Sequence, residues 1–250
     1  MKGGIKISKL IFKNGQQLDL KENSIVLFVG PNNAGKSATL NEIYDDLLNV
    51  KPNKKIIDDV QHHRTGSFED FLSNIEPQLK NGYYHGFNGS TYNADSLKYD
   101  WDNPRGRNAS QFVIKKIDTI SRLQSVAPPS SINFLVQVPT HPFHHLQTND
   151  KLNAEFSEYF KSAFGQDIIV NFGAGSVVPL HVGNKPETNS KKDRVSTKYL
   201  EELSHLGQLD NQGDGMKSFV GVLLPILTQN FSILFIDEPE AFLHPPQASI

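Results

Sequence analysis

Residues 25–37 read Ile-Val-Leu-Phe-Val-Gly-Pro-Asn-Asn-Ala-Gly-Lys-Ser, and this stretch decides the predicted fold. The apolar run at 25–29 is short and continuous, which is typical of a β-strand buried on both faces. Residues 30–37 match the pattern Gly-x-x-x-x-Gly-Lys-Ser/Thr in full. Apolar residues at helical spacing follow, so we expect a helix over about 36–48. A strand, a glycine-rich loop and a helix in this order predict a phosphate-binding loop.

The chemistry expected of this loop follows from its residue types. Glycines let the backbone N–H groups point at a phosphate, and the dipole of the next helix adds to the attraction. We expect the Lys36 ammonium to reach the β- and γ-phosphates and the Ser37 hydroxyl to ligate Mg²⁺. The residues predicted to contact a nucleotide here are Asn32, Asn33, Ala34, Gly35, Lys36, Ser37 and Ala38.

A second motif lies near the other end of the chain. Residues 233–236 are an apolar run, and Asp237 and Glu238 follow it directly. Two adjacent carboxylates at the end of a buried strand are costly unless a cation or a substrate uses them. This arrangement resembles a Walker B element, in which Asp237 secures Mg²⁺ and Glu238 is the general base that polarises the attacking water.

A third, weaker motif precedes the second. Asn-Gln-Gly-Asp-Gly-Met-Lys-Ser at 211–218 sits where ABC-type ATPases carry a Ser/Gly signature loop before a helix. Gln212 stands where serine is usual. Gln212, Gly213 and Gly215 nevertheless predict a loop whose backbone donors, at a helix N-terminus, suit a γ-phosphate.

These motifs together resemble the ABC-type ATPase domains of the OLD (overcoming lysogenization defect) family. Asp-Glu-Pro-Glu at 237–240 followed by Leu-His-Pro at 243–245 is the most specific part of the likeness, and residues 29–37 fit equally well. The middle of the chain, about 50–200, is only loosely similar. The resemblance implies an α/β fold of the ABC-type P-loop class, with a mixed sheet flanked by helices. Its core segments would be about 1–50 and 208–250, and about 51–207 would be inserted.

The resemblance also implies partners. Two copies would sandwich two ATP molecules, each phosphate loop facing the partner's 213–215 loop, with residues 240–244 at the seam. Family members usually carry a Toprim nuclease domain after the ATPase domain, and several act in bacterial defence against phage. An ABC-type fold continues past the equivalent of Gln247 with more strands and a switch histidine. Since this sequence stops at Ile250, we expect the C-terminal part of the fold to be missing.

Periodicity and turn signals predict the remaining elements. An Asn14-Gly15 turn should join a strand at 4–12 to a returning strand at 17–20. Residues 81–108 indicate loops or short edge strands, and 185–194 a polar, basic loop. Further helices are expected at about 109–125, 151–164, 197–206 and 216–227, and further strands at 132–138, 168–170 and 177–182.

Composition limits the protein class. The chain has 250 residues, 37% of them hydrophobic, a net charge of −2 and no cysteine. Disulfides and thiolate metal sites are therefore excluded, and no blanket attraction to nucleic acid is expected. No apolar run approaches the roughly 20 residues that span a bilayer. We expect a soluble, cytoplasmic protein with no membrane association.

Several assignments stay open. Gln137 or Gln61 could contact Mg²⁺ as a Q-loop residue. The histidines at 62, 63, 141, 144 and 145 are better explained as surface or interface residues than as metal ligands, and the basic 185–194 loop as a solvated loop than as a nucleic-acid contact. Two rival functions remain beside an ATPase switch for a nuclease: an ATP-dependent assembly scaffold with little turnover, and an SMC-like DNA repair ATPase. The lack of heptads argues against the last.

Overall fold

A computed structural model describes residues 3–50, 53–86, 90–103, 106–187 and 191–242. The helices are α1 Lys36–Leu47, α2 Phe68–Ile75, α3 Ala94–Asp102, α4 Arg107–Val113, α5 Thr119–Gln124, α6 Pro142–Thr148, α7 Asp150–Phe164, α8 Thr197–Ser204 and α9 Asp214–Thr228. The strands are β1 Gly4–Phe12, β2 Gln17–Asp19, β3 Ile57–Thr65, β4 Gln78–Lys80, β5 Tyr83–His85, β6 Thr91–Asn93, β7 Ile114–Ile117, β8 Asp167–Val170, β9 Leu180–Gly183, β10 Gly207–Gln208 and β11 Ile233–Ile236.

The chain divides into two compact units. The first consists of residues 1–86, 90–116 and 230–237, and the second of 87–89, 117–229 and 238–250. The structure is therefore mixed α/β, and the strands of its described part are distributed over four small sheets. The division into ABC core segments and an inserted region stays a prediction, because the two units follow other boundaries.

The first unit is built around the antiparallel sheet β2-β1-β3. The predicted hairpin is confirmed, with Leu10 opposite Leu18. Helix α1 packs on β3, and the aromatic rings of α2 and α3 complete the core, where Phe71 stacks on Trp101 with ring centroids 4.3 Å apart. A second sheet, β4-β5-β6, and the pair β11-β7 belong to the same unit.

The second unit has its own core. The sheet β10-β9-β8 packs with α7 and α9 around buried phenylalanines, among them Phe156 and Phe160. Helix α7 confirms the prediction at 151–164: Asn149 caps its first turn, and Gly165 ends it in the left-handed conformation at φ 68°. Helix α9 confirms the helix predicted at 216–227, although Pro225 lies inside it.

Four predictions of secondary structure were wrong. Residues 81–108, expected to form loops or short edge strands, contain the helix α3 beside the strands β5 and β6. Residues 25–29 are not a strand, and none of their backbone groups bonds to another described residue. Residues 132–138 form a turn instead of a strand, and the helix predicted at 109–125 is divided by β7. A strand needs hydrogen-bonding neighbours distant in sequence, so a local apolar pattern cannot decide it.

Residues 25–29 leave apolar surface in solvent. Ile25 is 97% exposed and Leu27 75%. On the other side of the segment, Val26 and Phe28 line a groove of about 480 Å³ whose opposite wall is 232–236. The segment that leads into the glycine-rich loop at 30–37 is thus irregular and largely exposed.

Candidate functional site

The glycine-rich loop at 30–37 connects the irregular segment to α1. The Ala34 N–H donates to the Pro31 carbonyl at 3.3 Å, and Asn33 and Gly35 have φ angles of +64° and +87°. Gly35 is the N-cap residue of α1, and a Cβ there would lie 3.0 Å from the Ile56 side chain. The positive φ therefore favours glycine at this position, and the end of the Ile56 side chain would have to shift slightly for a larger residue.

The N-terminus of α1 has the electrostatics of an anion site. No side chain caps it, and its first turn contains no acidic residue. The Lys36 ammonium lies back over the loop, where it donates to the Gly30 and Pro31 carbonyls at 2.9 and 3.0 Å. Free first-turn N–H groups, the positive end of the helix dipole and a lysine thus gather at one exposed loop.

The structure brings the first two motifs together. The Ser37 hydroxyl donates to Oδ1 of Asp237 at 2.9 Å, across 200 residues of sequence. Asp237 directly follows β11, as predicted. A hydroxyl and a carboxylate are oxygen ligands of the type that Mg²⁺ takes when phosphate oxygens and waters complete its octahedron, so the pair fits that ion. Over the described ranges, no three His, Asp or Glu side chains form a metal-binding group.

The other predicted residues of the loop are open to solvent. Asn32, Asn33, Ala34 and Ala38 are exposed, whereas Lys36 is partly buried. Nothing in the described structure covers this side of the loop. These four residues are therefore accessible to a nucleotide, as the prediction requires.

Glu238 belongs to the second unit. Its φ is +49°, which is uncommon for a residue other than glycine. Its carbonyl accepts hydrogen bonds from Arg122 Nη2 at 2.7 Å and from the Ala241 N–H at 2.9 Å, and the residue is exposed. The backbone of the predicted general base is thus held while its carboxylate faces solvent.

The signature-like loop is also in the second unit, and the structure modifies its predicted geometry. Gly213 is the N-cap of α9 and faces open space, but the Gln212 amide turns back to donate to the Gln208 carbonyl at 3.2 Å. Gly215 lies inside α9, where a Cβ would be 2.8 Å from a backbone oxygen. Asp214 places an acidic group in the first turn, which disfavours an anion there. A role of this loop towards a nucleotide stays a prediction.

The Q-loop candidates occupy other places. Gln137 accepts from the Asn133 N–H at 2.7 Å within its own turn, instead of ending a strand. Gln61 is an exposed residue of β3 whose carbonyl accepts from Ser8. Gln137 is therefore involved in a local turn, and a role of either residue towards Mg²⁺ stays a prediction.

The histidines of α6 are largely buried. His144 Nδ1 accepts from the Thr140 N–H at 3.3 Å, and its Nε2 donates to the Ser130 carbonyl at 2.9 Å. The His141 ring accepts from the Phe143 N–H at 3.2 Å. Burial, reinforced by the charge of neighbouring histidine, lowers the pKa of both His141 and His145 to about 4. These rings are neutral at physiological pH.

The basic loop is only partly described. Arg194 pairs with Asp150 at 3.1 Å, and the Lys185 N–H donates to Asp167. Residues 188–190 and the side chains of 191 and 192 lie outside the described residues, as do 243–250 of the family likeness.

Three buried polar residues, one in the first unit and two in the second, were missed in the sequence. Glu42 on α1 accepts three backbone N–H bonds from 55–57, Arg122 on α5 is fully buried, and so is Ser218 on α9. Only α5 gave a signal, because Arg122 is its single charged residue; Glu42 and Ser218 lie in helices with several charged or polar residues. That signal does not reveal which backbone groups the side chain will meet.

Comparisons with known proteins give no family assignment. In the described part of the chain, the helices are too short or too polar to cross a membrane. No family model matches the chain, and neither a curated protein nor a solved structure shows significant similarity to it.

Proposed function

We propose that this chain binds ATP with Mg²⁺ and hydrolyses it, using a P-loop of the ABC type. The observation that carries the proposal is the 2.9 Å hydrogen bond between Ser37 and Asp237. The two residues come from separate motifs, and each motif independently predicts a magnesium ligand. If residues 30–37 were a glycine-rich turn that matches the motif by chance, there would be no reason for Asp237 to lie beside Ser37.

The phosphate end of the nucleotide would bind at the start of α1. Its first-turn N–H groups are uncapped, and the Lys36 ammonium is held by two carbonyls that phosphate oxygens can replace as acceptors. Ser37 and Asp237 would hold Mg²⁺, which neutralises phosphate charge when bound. Glu238 would accept the proton of the attacking water.

The wider role follows from the resemblance to the OLD family. ATP would close a homodimer and hydrolysis would reopen it, so that the state of the nucleotide controls a nuclease in a further domain or a partner subunit. Defence against phage is the biological setting that this resemblance favours. Nucleic acid stays open as a further partner.

ATP turnover with Mg²⁺ is the direct test. We expect turnover in the wild type and its loss in Lys36→Ala and Glu238→Gln, with ATP binding kept in Glu238→Gln. Asp237→Asn should weaken the dependence on magnesium. Lys98→Ala is the matched control, because Lys98 is an exposed lysine of the same unit.

Two results would change the proposal. Binding through Lys36 without any turnover in the wild type would favour the ATP-dependent scaffold. No binding of ATP, or equal binding by Lys36→Ala and the wild type, would refute the nucleotide site itself.

A further inference from the structure

The residues that follow Asp237 form a turn whose end carbonyls are both held by buried side chains. The turn closes at Ala241, whose N–H donates to the Glu238 carbonyl at 2.9 Å. Glu238 has the left-handed φ of +49°, a conformation that persists only where surrounding structure fixes it.

Arg122 holds the first end of this turn. Its side chain is 0% exposed, and its Nη2 donates to the Glu238 carbonyl at 2.7 Å. Hydrogen bonds from a guanidinium are stronger than those between neutral groups. Arg122 lies on α5, whose first turn is held by a capping box between Asp118 and Ser121.

Ser218 holds the other end. It is 0% exposed on α9, and its hydroxyl donates to the Ala241 carbonyl at 3.1 Å. The backbones of helices α5 and α9 approach closely, since a Cβ on Gly221 would overlap the Arg122 carbonyl oxygen. The two donors, Arg122 and Ser218, therefore lie on two helices that pack closely against each other.

We propose that Arg122 and Ser218 are positioning residues that set the direction of the Glu238 carboxylate through its backbone. We call this pair of donors the clamp. Because Gly213 is the N-cap residue of α9, which carries Ser218, the clamp connects the orientation of Glu238 to the signature-like loop. If the first turn of α9 moves, Ser218 should move with it and shift the turn at 238–241 through its hydrogen bond to Ala241. The inference rests on the proposed ATP hydrolysis, in which Glu238 is the base.

The test is a comparison of kcat and KM in the full chain. Ser218→Ala should lower kcat about ten-fold, with KM and the ATP dissociation constant within about two-fold of the wild type, because misaligned groups slow chemistry without weakening binding. Arg122→Met should lower kcat further, and Arg122→Lys, which keeps a charged donor, should restore much of it. Ser157→Ala is the matched control: its hydroxyl donates to the Ile168 carbonyl at 3.0 Å in the same unit.

A double-mutant cycle separates positioning from general destabilisation. If Ser218 acts through the Glu238 carboxylate, Ser218→Ala should not lower the residual rate of Glu238→Gln any further. Independent, additive losses would overturn the inference, as would an equal loss of kcat in Ser157→Ala. A third outcome would refute the positioning role alone: the wild type hydrolyses ATP, Glu238→Gln does not, and Ser218→Ala has the wild-type rate. Absence of turnover in the wild type would refute both the clamp and the proposed hydrolysis.

Discussion

Replacing Glu42 tests how the glycine-rich loop at 30–37 is supported by the segment that packs against it. The Glu42 carboxylate is buried, and it accepts from the Lys55 N–H with one oxygen at 2.8 Å. Its other oxygen accepts from the N–H groups of Ile56 and Ile57 at 2.9 and 2.8 Å. Ile56 is also the side chain that a Cβ on Gly35 would meet. Glu42 thus ties α1 to the segment that lies against the loop.

The magnitude follows from which N–H groups lose their acceptor. In Glu42→Ala the Lys55 N–H reaches water, whereas the Ile57 N–H, in a residue with 0% exposure, stays buried. Leaving a buried donor unsatisfied costs about 1–3 kcal/mol, so with the partly buried Ile56 N–H we expect about 3 kcal/mol of lost stability. Glu42→Gln can keep the oxygen that serves Ile56 and Ile57, and should cost only about 1 kcal/mol.

The assay is urea unfolding followed by tryptophan fluorescence. Trp101 is the single tryptophan and lies in the core of the first unit, so its signal reports the unit that contains Glu42. Asp59→Ala, at an exposed carboxylate of β3, is the control and should change stability by less than about 0.5 kcal/mol. Equal stability of Glu42→Ala and the wild type, or equal losses in the Ala and Gln variants, would refute the reasoning.

The acid dependence of stability gives a second view of Glu42. Burial acts to raise the pKa of this carboxyl, but the three backbone donors outweigh it, and the pKa is lowered. A lowered folded-state pKa gives stability that is present above the unfolded value of about 4.3 and is lost as the pH falls through the folded value. The loss of stability from pH 7 to pH 3 should therefore be smaller in Glu42→Ala than in the wild type.

Two further predictions concern other parts of the chain. The pKa of His141 and of His145 is about 4 when folded, and an unfolded histidine titrates near its ordinary value of about 6.5. The second unit should therefore keep its full stability above about pH 6.5 and lose up to about 1.4 kcal/mol per pH unit for each ring as the pH falls towards 4. Hydrogen exchange of the α6 amides at pH 7 and pH 5 measures this loss, and a His145→Phe variant with the same pH dependence as the wild type would contradict it. For the exposed run at 25–29, the double variant Ile25→Ser and Leu27→Ser should bind less of the dye ANS with an unchanged Tm, since these side chains are 97% and 75% exposed. Unchanged dye binding, or a clear drop in Tm, would show that the two side chains are packed in solution.

The local parts of the candidate site could be read directly from the sequence. The glycine before Lys36 starts α1, and the apolar run before Asp237 forms β11, as predicted. Turn and cap residues act within a few positions of themselves, so the Asn14-Gly15 hairpin and the Asn149 cap of α7 also form where their residue types predict. The pairing of Ser37 with Asp237 follows from the combination of two motifs.

Apart from this pair, only the tertiary structure decided which distant groups meet. Residues 25–29 have the composition of a buried strand, yet no described segment pairs with them, and they remain irregular and largely exposed. Residues 114–117 carry helical spacing, but pairing with β11 makes them a strand. The partners of Glu42, Arg122 and Ser218 are backbone groups, which carry no signature of residue type. The sequence by itself therefore determined the loop, the helix that follows it and the two acidic residues, because their patterns are local. Sheet pairing and the buried polar contacts that hold Glu238 depend on the packing of segments far apart in the chain, and only the tertiary structure settled them.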